Sequence, residues 1–295
     1  MSKALLDLYA DYLISSFGPT TATGLSALLE QRVSHDKITR FLSKRQFTSA
    51  DLWQLVKPLV RKVQNPNGVL IITDENDLIC WHYDHSKDRT VKGINFLSGL
   101  YQVDGVSLPV AFALVTKTEM VVDKKTGKQK RKSAISKNEH YRTLLKACVA
   151  NQIPLRYVLN DIWFASAENM NLIKNELDKD FVMPLKSNRK VALNEADKQK
   201  SIYQAVETLC LEPGVVRKVY LEQIDFALVL VKQVFTNEDG SEGILYLVTS
   251  DMTLGFEQIA ALYQRRWKVE EYHKSLKQNA SLCKSPNASH RRARW

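Results

Sequence analysis

One segment near the end of the chain combines acidic, basic and phenolic side chains at the spacing of a single helix face. At about 100° per residue, four of them share an arc about 60° wide: Tyr263, Arg266, Glu270 and Lys277. Lys274 joins this arc. A carboxylate framed by cations suits a metal ion beside a phosphate backbone, with the acid on the metal and the cations on phosphates. The alternative for this segment alone is a solvated amphipathic helix with i,i+4 ion pairs, such as Glu270 with Lys274.

An apolar stripe on another side of the same segment predicts how the helix docks. Three side chains recur at helical spacing and are expected to pack on a core: Leu262, Val269 and Leu276. Glu271 lies about 100° from Glu270 around the helix and is the weaker candidate for a metal ligand. Trp267 is expected to be a half-buried support rather than a surface for stacking on a base.

A second acidic candidate follows a predicted strand. Residues 156–159 are predicted to form that strand and residues 167–177 the helix after it. Asp161 therefore falls at the carboxyl end of a strand, where α/β folds place their sites. The alternative role for Asp161 is a helix N-cap. Trp163 and Phe164 are predicted to pack in the core rather than to stack on bases.

The first strand of this α/β pattern runs into several acids. Residues 69–72 are predicted to form a buried strand, and Thr-Asp-Glu-Asn-Asp follows it directly. Counted from the strand, Asp74 takes the position of a metal ligand, while Asp77 and Asp84 remain alternatives. Two nearby histidines, His82 and His85, suggest a zinc site, but no further pair of possible ligands has a suitable spacing in the sequence.

Three motifs occur in order between residues 68 and 284. Residues 263–277 place Tyr, Arg, Glu and Lys with two, three and six residues between them. Residues 160–166 read Asn-Asp-Ile-Trp-Phe-Ala-Ser, and residues 81–86 with 91–95 read as a hairpin. In these motifs the chain resembles the DDE transposases of bacterial insertion sequences, of the insertion-sequence-four-like family. The motifs resemble that family's Tyr-Arg-Glu-Lys signature, its second-aspartate motif and the hairpin after its first aspartate.

The resemblance implies a fold, a reaction and a partner. The fold is an α/β RNase H-like core with an N-terminal helical domain and an antiparallel β insertion before the last catalytic helix. The reaction is DNA transposition, in which strands are cleaved and transferred with two Mg²⁺ ions, or Mn²⁺ as a substitute, and without a protein nucleophile. The partner is double-stranded DNA, both the element's terminal repeats and its target, bound by a homodimer on paired ends. The implied metal ligands are Asp74, Asp161 and Glu270.

Two groups of residues are implied to bind DNA. Around the acid of the last helix they are Tyr263, Arg266, Lys274 and Lys277. Within the N-terminal region, two short predicted helices have the layout of a helix-turn-helix, and the second presents Arg40 and Lys44. A small helical bundle without DNA contact fits the same pattern. In the family, the N-terminal helical region recognises the ends of the element.

The patterns divide the chain into four parts. Residues 1–64 are predicted to be a helical region that binds DNA ends, and residues 65–189 the first part of the RNase H-like core. Residues 190–252 are a β-rich insertion. Residues 253–295 return to the core with the Glu-bearing helix and end in a basic tail.

Two departures from the family pattern indicate a decayed copy. Several residues of that pattern are missing after the strand at 69–72. Residues 287–295 are polar without apolar periodicity, as in a truncated or frame-shifted end. One alternative is therefore a catalytically inactive DNA-binding remnant of a transposase. Another is a general RNase H-like nuclease, which would cut DNA without preferring the ends of an element.

The bulk composition agrees with a soluble protein that binds a polyanion. The chain has 295 residues, a net charge of +10, 44% hydrophobic residues and 25% charged residues. The excess of cations lies in residues 261–295, where nine Lys and Arg face two acids, and in the loop 123–137. Four cysteines without CxxC spacing, and no apolar run near the roughly 18 residues of a membrane span, predict a cytoplasmic, nucleoid-associated bacterial protein without a membrane partner.

Overall fold

The computed structural model describes residues 3–16, 20–44, 47–75, 81–84, 89–92, 95–122, 127, 129–236 and 239–279. Three of the sequence-based predictions fall outside these residues. They concern the polar tail at 287–295, residues 123–126 and 128 of the basic loop, and Asp77.

The described residues form α-helices and β-strands that alternate through the second half of the chain. The helices are α1 (Lys3–Ser15), α2 (Ala22–Leu28), α3 (His35–Lys44), α4 (Ser49–Val63), α5 (Lys137–Ala150), α6 (Ala167–Asn171), α7 (Glu195–Gln199), α8 (Phe256–Gln264) and α9 (Lys268–Asn279). The strands are β1 (Val69–Glu75), β2 (Trp81–Asp84), β3 (Arg89–Lys92), β4 (Asn95–Val103), β5 (Val106–Val115), β6 (Glu119–Val122), β7 (Gln129–Lys132), β8 (Tyr157–Asn160), β9 (Asp180–Leu185), β10 (Lys190–Val191), β11 (Gln204–Ala205), β12 (Val216–Val219), β13 (Leu228–Thr236) and β14 (Glu242–Thr249).

Helices α1–α4 occupy the N-terminal region that was predicted to be helical, but they divide between two clusters. Thr21 caps α2 by accepting the backbone N–H of Gly24, and Thr48 forms a capping box with Asp51 at the start of α4. The apolar faces of α1, α2 and α3 bury a cluster of their own: Leu5, Tyr9, Tyr12, Leu25, Ile38 and Phe41. Helix α4 instead packs on the central sheet, where Trp53 joins the main core.

The central sheet has the strand order of an RNase H-like core. Strand β1 pairs with β4 in antiparallel and with β8 in parallel orientation, while β4 pairs with β5 and β8 with β9. The resulting order is β5-β4-β1-β8-β9. Neighbouring strands among β5, β4 and β1 are antiparallel, and β8 and β9 run parallel to β1. The apolar run at 69–72 is buried completely, as expected for a strand covered on both faces. The predicted RNase H-like fold is thereby confirmed.

Helices cover both faces of this sheet and give the molecule three layers. On one face, Leu70 and Ile72 of β1 share a core with α4, α5 and α6. On the other face, Val69 and Ile71 pack against α8 and α9. Because successive residues of a strand point to opposite faces, the side chains of β1 belong to both cores. The carboxyl end of β1 is therefore held between two helical layers.

The β-rich segment 190–252 extends the same sheet. Strands β12, β13 and β14 pair in antiparallel orientation, and β14 pairs with β9. The predicted antiparallel insertion before the last helix is therefore present, and its inner residues Leu230 and Val248 belong to the main core. Three short ribbons, β2 with β3, β6 with β7 and β10 with β11, lie outside this sheet.

The helix predicted through residues 263–277 is interrupted. Helix α8 ends at Gln264, a 3₁₀ turn spans Arg265–Trp267, and α9 begins at Lys268. At this turn Arg265 reaches away to β4 and donates to Gln102 Oε1 at 2.5 Å and to the Gln102 carbonyl at 3.1 Å. The prediction of one continuous helix was wrong, because a buried contact of Arg265 outweighs the regular helical bonding of the segment.

A candidate active site at the ends of two parallel strands

Asp74 and Asp161 lie at the same edge of the central sheet. In the parallel pair of β1 and β8, Ile72 is aligned with Asn160. Asp161 is one residue beyond that pair on β8, and Asp74 is two residues beyond it on β1. The carboxyl ends of neighbouring parallel strands thus bring two acids together, in the position where open α/β sheets hold their sites.

The charge of Asp74 acts on Asp161. Burial, followed by the negative charge of Asp74, raises the pKa of Asp161 to about 6. The backbone N–H of Trp163, which donates to Asp161 Oδ1 at 2.8 Å, and the charge of Arg266 act in the opposite direction. Asp161 also caps the 3₁₀ turn Ile162–Phe164, so the N-cap that was its alternative role is present in addition.

Lys137 neutralises the first of these acids. The Asp74 side chain is 8% exposed, and its Oδ2 contacts the ammonium of Lys137 at the first residue of α5. Sequence reasoning noted Lys137 only as part of a basic run and missed this contact. The available signal was the capping box of Ser136 and Glu139, which fixes where α5 begins and therefore where Lys137 lies.

Tyr263, Arg266 and Glu270 come together beside the aspartates despite the break in the helix. Arg266 Nη1 donates to Glu270 Oε1 at 3.1 Å, and its guanidinium lies 5.8 Å from the centre of the Tyr263 ring. Burial raises the pKa of Tyr263 to about 12, and the charges of Asp161 and Glu270 add to the rise. The charge of Arg266 also lowers the pKa of Asp161 against the effect of burial, so the same guanidinium pairs with the acid of α9 and acts on the acid that follows β8.

The apolar side of α9 is docked on the sheet. Val269 is fully buried, and Leu262 of α8 packs against the same cluster, as the predicted apolar stripe requires. The sequence did not predict His273, which is 3% exposed and whose Nε2 lies 2.8 Å from Ser98 Oγ on β4. His273 lies four residues after Val269 and three before Leu276, which is the helical spacing of the apolar stripe. That spacing was the signal for its burial.

The remaining predicted DNA contacts lie on exposed surfaces. Lys274 is exposed on α9, and Arg40 and Lys44 are exposed on α3. The side chain of Lys277 lies outside the described part of the structure, and so does that of Asp84 in β2. The structure therefore brings Tyr263, Arg266 and Glu270 together, with Tyr263 and Arg266 within electrostatic reach of Asp161. Arg40 and Lys44 lie apart from them in sequence, on α3 of the N-terminal helices.

Two tryptophans beside the site are more exposed than predicted. Trp163 is 72% exposed and Trp267 59%, so core packing of the first and half-burial of the second were wrong. In the tight turn after Asp161, Phe164 takes the inward position and stacks on Tyr141 with ring centres 4.8 Å apart, which leaves Trp163 outside. Each exposed ring carries a cation: Lys186 Nζ lies 5.6 Å from the Trp163 ring centre and the Arg266 guanidinium 5.1 Å from that of Trp267.

The acids fit a hard divalent cation by their chemistry. Asp74 and Asp161 supply oxygen ligands, and their mutual repulsion is what a divalent cation between them would relieve. Within the described residues, no three His, Cys, Asp or Glu side chains form one metal-holding group. Glu270 is paired with Arg266 and remains 49% exposed, so within the described residues it belongs to no such group with the aspartates.

Comparisons with known proteins place this geometry in context. A family model described as DDE superfamily endonuclease matches residues 2–205, which include Asp74 and Asp161. No curated protein matches the chain. A structure of the piggyBac transposase synaptic complex with hairpin DNA aligns with a TM-score of 0.48 and 12% identity, over 95% of this chain and 60% of that one. A Drosophila P element transposase strand transfer complex aligns with a TM-score of 0.33 and 10% identity, over 66% and 46%.

The chain spans less than two thirds of both of these solved structures, 60% of the first and 46% of the second. Among the described residues, no helix is both long and apolar enough to cross a membrane. The family match covers the N-terminal helices, the first five strands of the core and both aspartates, and it ends before the helix that carries Glu270.

Proposed function

The chain belongs to the DDE superfamily endonucleases, and from that premise we propose that it is a transposase that cleaves and transfers DNA strands at the ends of its own insertion sequence. The observation that carries the proposal is the position of Arg266. Its guanidinium contacts Glu270 and acts on the charge of Asp161, which itself adjoins Asp74. Arg266 thus links the acid of α9 to the pair of aspartates, which supports a common site for the three, and the Tyr-Arg-Glu-Lys spacing supports the insertion-sequence-four-like family.

In this proposal Asp74, Asp161 and Glu270 hold two Mg²⁺ ions, for which Mn²⁺ substitutes. When bound, these ions would stabilise the attacking and leaving oxygens of the phosphodiester. The protein supplies fixed geometry: β1 and β8 hold two carboxylates rigidly in the sheet, and the docked helix α9 supplies the third. Arg266, which is 13% exposed, orients Glu270 and offers its remaining N–H groups to phosphate.

Duplex DNA is the proposed partner because cations and aromatic rings surround the acids. Tyr263, Lys274 and Lys277 would follow the backbone on either side of Arg266, and the exposed rings of Trp163 and Trp267 offer stacking surfaces. Helix α3 would read the terminal repeats through Arg40 and Lys44. The net charge of +10 would draw DNA to this surface. We extend the proposal to a homodimer on paired DNA ends in the bacterial cytoplasm.

The decisive experiment is metal-dependent nicking of a duplex that carries the terminal repeats of the encoding element. We expect cleavage in Mg²⁺ or Mn²⁺ by the wild type, and its loss in Asp161→Asn, Glu270→Gln and Asp74→Asn. Glu271→Gln is the matched control. Glu271 adjoins Glu270, has the same side chain and pairs with Lys268 at 2.8 Å rather than with Arg266. Its variant is expected to cleave like the wild type.

Other outcomes separate the alternatives. DNA binding without cleavage in either metal would identify a catalytically inactive DNA-binding remnant. Equal cutting of unrelated duplexes and of terminal repeats would identify a general nuclease. Cleavage that survives Asp74→Asn but not Asp161→Asn would transfer the role of the first ligand to another acid.

A further inference from the structure

Lys137 contacts a buried acid of the proposed metal site. Its ammonium forms an ion pair with Asp74 Oδ2. The side chain of Asp74 is 8% exposed, whereas that of Lys137 is 38% exposed. A carboxylate at this depth needs a counter-charge, because an isolated buried charge is strongly unfavourable. Lys137 supplies one positive charge at the place where a cation bound to Asp74 would lie.

The backbone that carries Lys137 is fixed, while the side chain can leave. Ser136 caps α5 and exchanges two hydrogen bonds with Glu139, at 3.2 and 2.7 Å. One turn further along α5, the buried hydroxyl of Tyr141 donates to Asn160 Oδ1 at 3.0 Å, directly before Asp161. Helix α5 is therefore bound to both acid-bearing strands. The ammonium stands on a flexible four-carbon stem and its side chain is 38% exposed, so rotations of that stem can carry it from Asp74 toward solvent.

We propose that the Lys137 ammonium is an internal counter-ion of Asp74 that competes with the divalent cation and is displaced when that cation binds. The inference rests on the proposed function, because it concerns the same acids. In the cation-free site, the single charge of Lys137 lies against Asp74, while the charge of Arg266 acts on Asp161. A divalent cation brings two charges to the same oxygens, so the ammonium beside them becomes repelled and moves to solvent. The divalent cation replaces the ammonium as the counter-ion of Asp74, and no covalent bond forms or breaks.

The proposal predicts that removing this ammonium tightens metal binding. We expect Lys137→Met to bind Mn²⁺ roughly tenfold more tightly than the wild type, the equivalent of about 1.4 kcal/mol. Electron paramagnetic resonance of the free Mn²⁺ signal measures this affinity without DNA and without turnover. Lys137→Arg keeps the charge and is expected to bind Mn²⁺ no more tightly than the wild type. A residue with a merely structural role would weaken metal binding when replaced, not strengthen it.

Lys146→Met is the matched control. Lys146 lies on the same helix, nine residues and about 13 Å of helix rise beyond Lys137. It forms an ion pair with Glu176 at 3.2 Å, with both side chains more than half exposed. Its replacement removes the same charge from the same helix and is expected to leave the affinity for Mn²⁺ unchanged.

A second measurement uses the wild type alone. An amine-reactive reagent followed by peptide mass spectrometry reports how readily each lysine is modified. We expect Lys137 to be modified faster with Mn²⁺ than without it, because displacement frees its ammonium, while Lys146 keeps its rate. An unchanged or slower rate at Lys137 would overturn the inference, and this holds even where Lys137→Met does not fold.

Asp74→Asn separates the failure of this inference from failure of the proposed function. If Asp74→Asn weakens Mn²⁺ binding and Lys137→Met leaves it at the wild-type value, only the competition by Lys137 is wrong. If Asp74→Asn itself leaves Mn²⁺ binding unchanged, Asp74 is not a ligand, and the assignment in the proposed function fails with the inference.

Discussion

Asp161 and Asp251 lie at opposite ends of β8, and their pKa values are shifted in opposite directions. Asp161 follows the last residue of β8, where burial and the charge of Asp74 raise its pKa to about 6. Asp251 accepts a hydrogen bond of 2.7 Å from Tyr157, the first residue of β8, and a charged one of 3.0 Å from Arg156. One end of β8 thus leads into an acid whose charged form is disfavoured, and the other end donates hydrogen bonds to Asp251, an acid after β14 whose charged form is favoured.

The raised pKa of Asp161 predicts how stability depends on pH. A carboxyl whose pKa rises from 3.8 to about 6 on folding stabilises the protein fully below pH 3.8, and that contribution is lost as the pH rises through 6. In metal-free protein we expect its loss to lower the free energy of unfolding by about 2 kcal/mol, since each pKa unit is worth about 1.4 kcal/mol and partial solvation reduces the sum. Urea unfolding across this pH range measures it.

Asp161→Asn provides the control for this pH dependence. Asparagine retains the N-cap of the turn after β8 but does not ionise. As the pH rises from about 4 to about 7, the free energy of unfolding of the wild type is expected to fall relative to that of the variant. Two parallel curves would show that Asp161 keeps its ordinary pKa in the folded protein.

Asp251 predicts the opposite behaviour and a structural role. Burial alone would raise the pKa of Asp251, but hydrogen bonds from Thr253, Tyr157 and Arg156 lower it to about 2. Its contribution to stability is therefore present above pH 3.8 and is lost as the pH falls through 2. We expect Asp251→Asn to lower the free energy of unfolding by about 3 kcal/mol at neutral pH, because the Asp251 side chain is only 6% exposed. Below the melting transition, metal-dependent cleavage should remain near the wild-type rate.

The sequence predicted the elements of the core well because their signals are local. The apolar run at 69–72, the strand predicted at 156–159 and the helix predicted from residue 167 each depend on residues close in the chain. The parallel pairing that places Asp161 beside Asp74 could be expected from the α/β pattern alone.

Other features depended on contacts between distant segments and could not be predicted. The break after Gln264 accompanies a contact of Arg265 with Gln102, 163 residues away in sequence. The pairing of Lys137 with Asp74 spans 63 residues. In the tight turn after Asp161, either Trp163 or Phe164 can fill the core, and the structure buries Phe164 and exposes Trp163. Residue propensity does not decide between two adjacent aromatic residues.

The contact between His273 and Ser98 predicts a coupled effect on stability and activity. His273 docks α9 on β4, and Glu270 lies one helical turn before it. We expect His273→Ala to lower the free energy of unfolding by about 2 kcal/mol, because it also leaves the buried Ser98 hydroxyl without this partner. The double variant with Ser98→Ala should cost clearly less than the sum of the two single changes, by about 1 kcal/mol.

A double-mutant cycle in urea measures this coupling. Cleavage by His273→Ala, assayed where the variant is fully folded, should fall more than its affinity for DNA, because the position of Glu270 changes while the cationic surface remains. Strictly additive costs of the two single variants would show that the 2.8 Å contact contributes nothing to docking of α9.

Arg265 and Arg266 are neighbours in sequence but are expected to respond differently to salt. Arg265 is directed into the protein toward Gln102, whereas Arg266 lies between Glu270 and the tryptophan ring that follows it. If Arg266 contacts a DNA phosphate, the binding of wild-type protein releases the counterion of that phosphate from the DNA, and binding of a variant without Arg266 releases one counterion fewer. We therefore expect Arg266→Gln to reduce the slope of log K for DNA against log salt concentration by about one unit. Arg265→Gln should lower thermal stability and leave that slope unchanged, which makes it the matched control. Equal slopes for both variants and the wild type would restrict Arg266 to orienting Glu270, and its variant would then lose cleavage without a change in the salt dependence of binding.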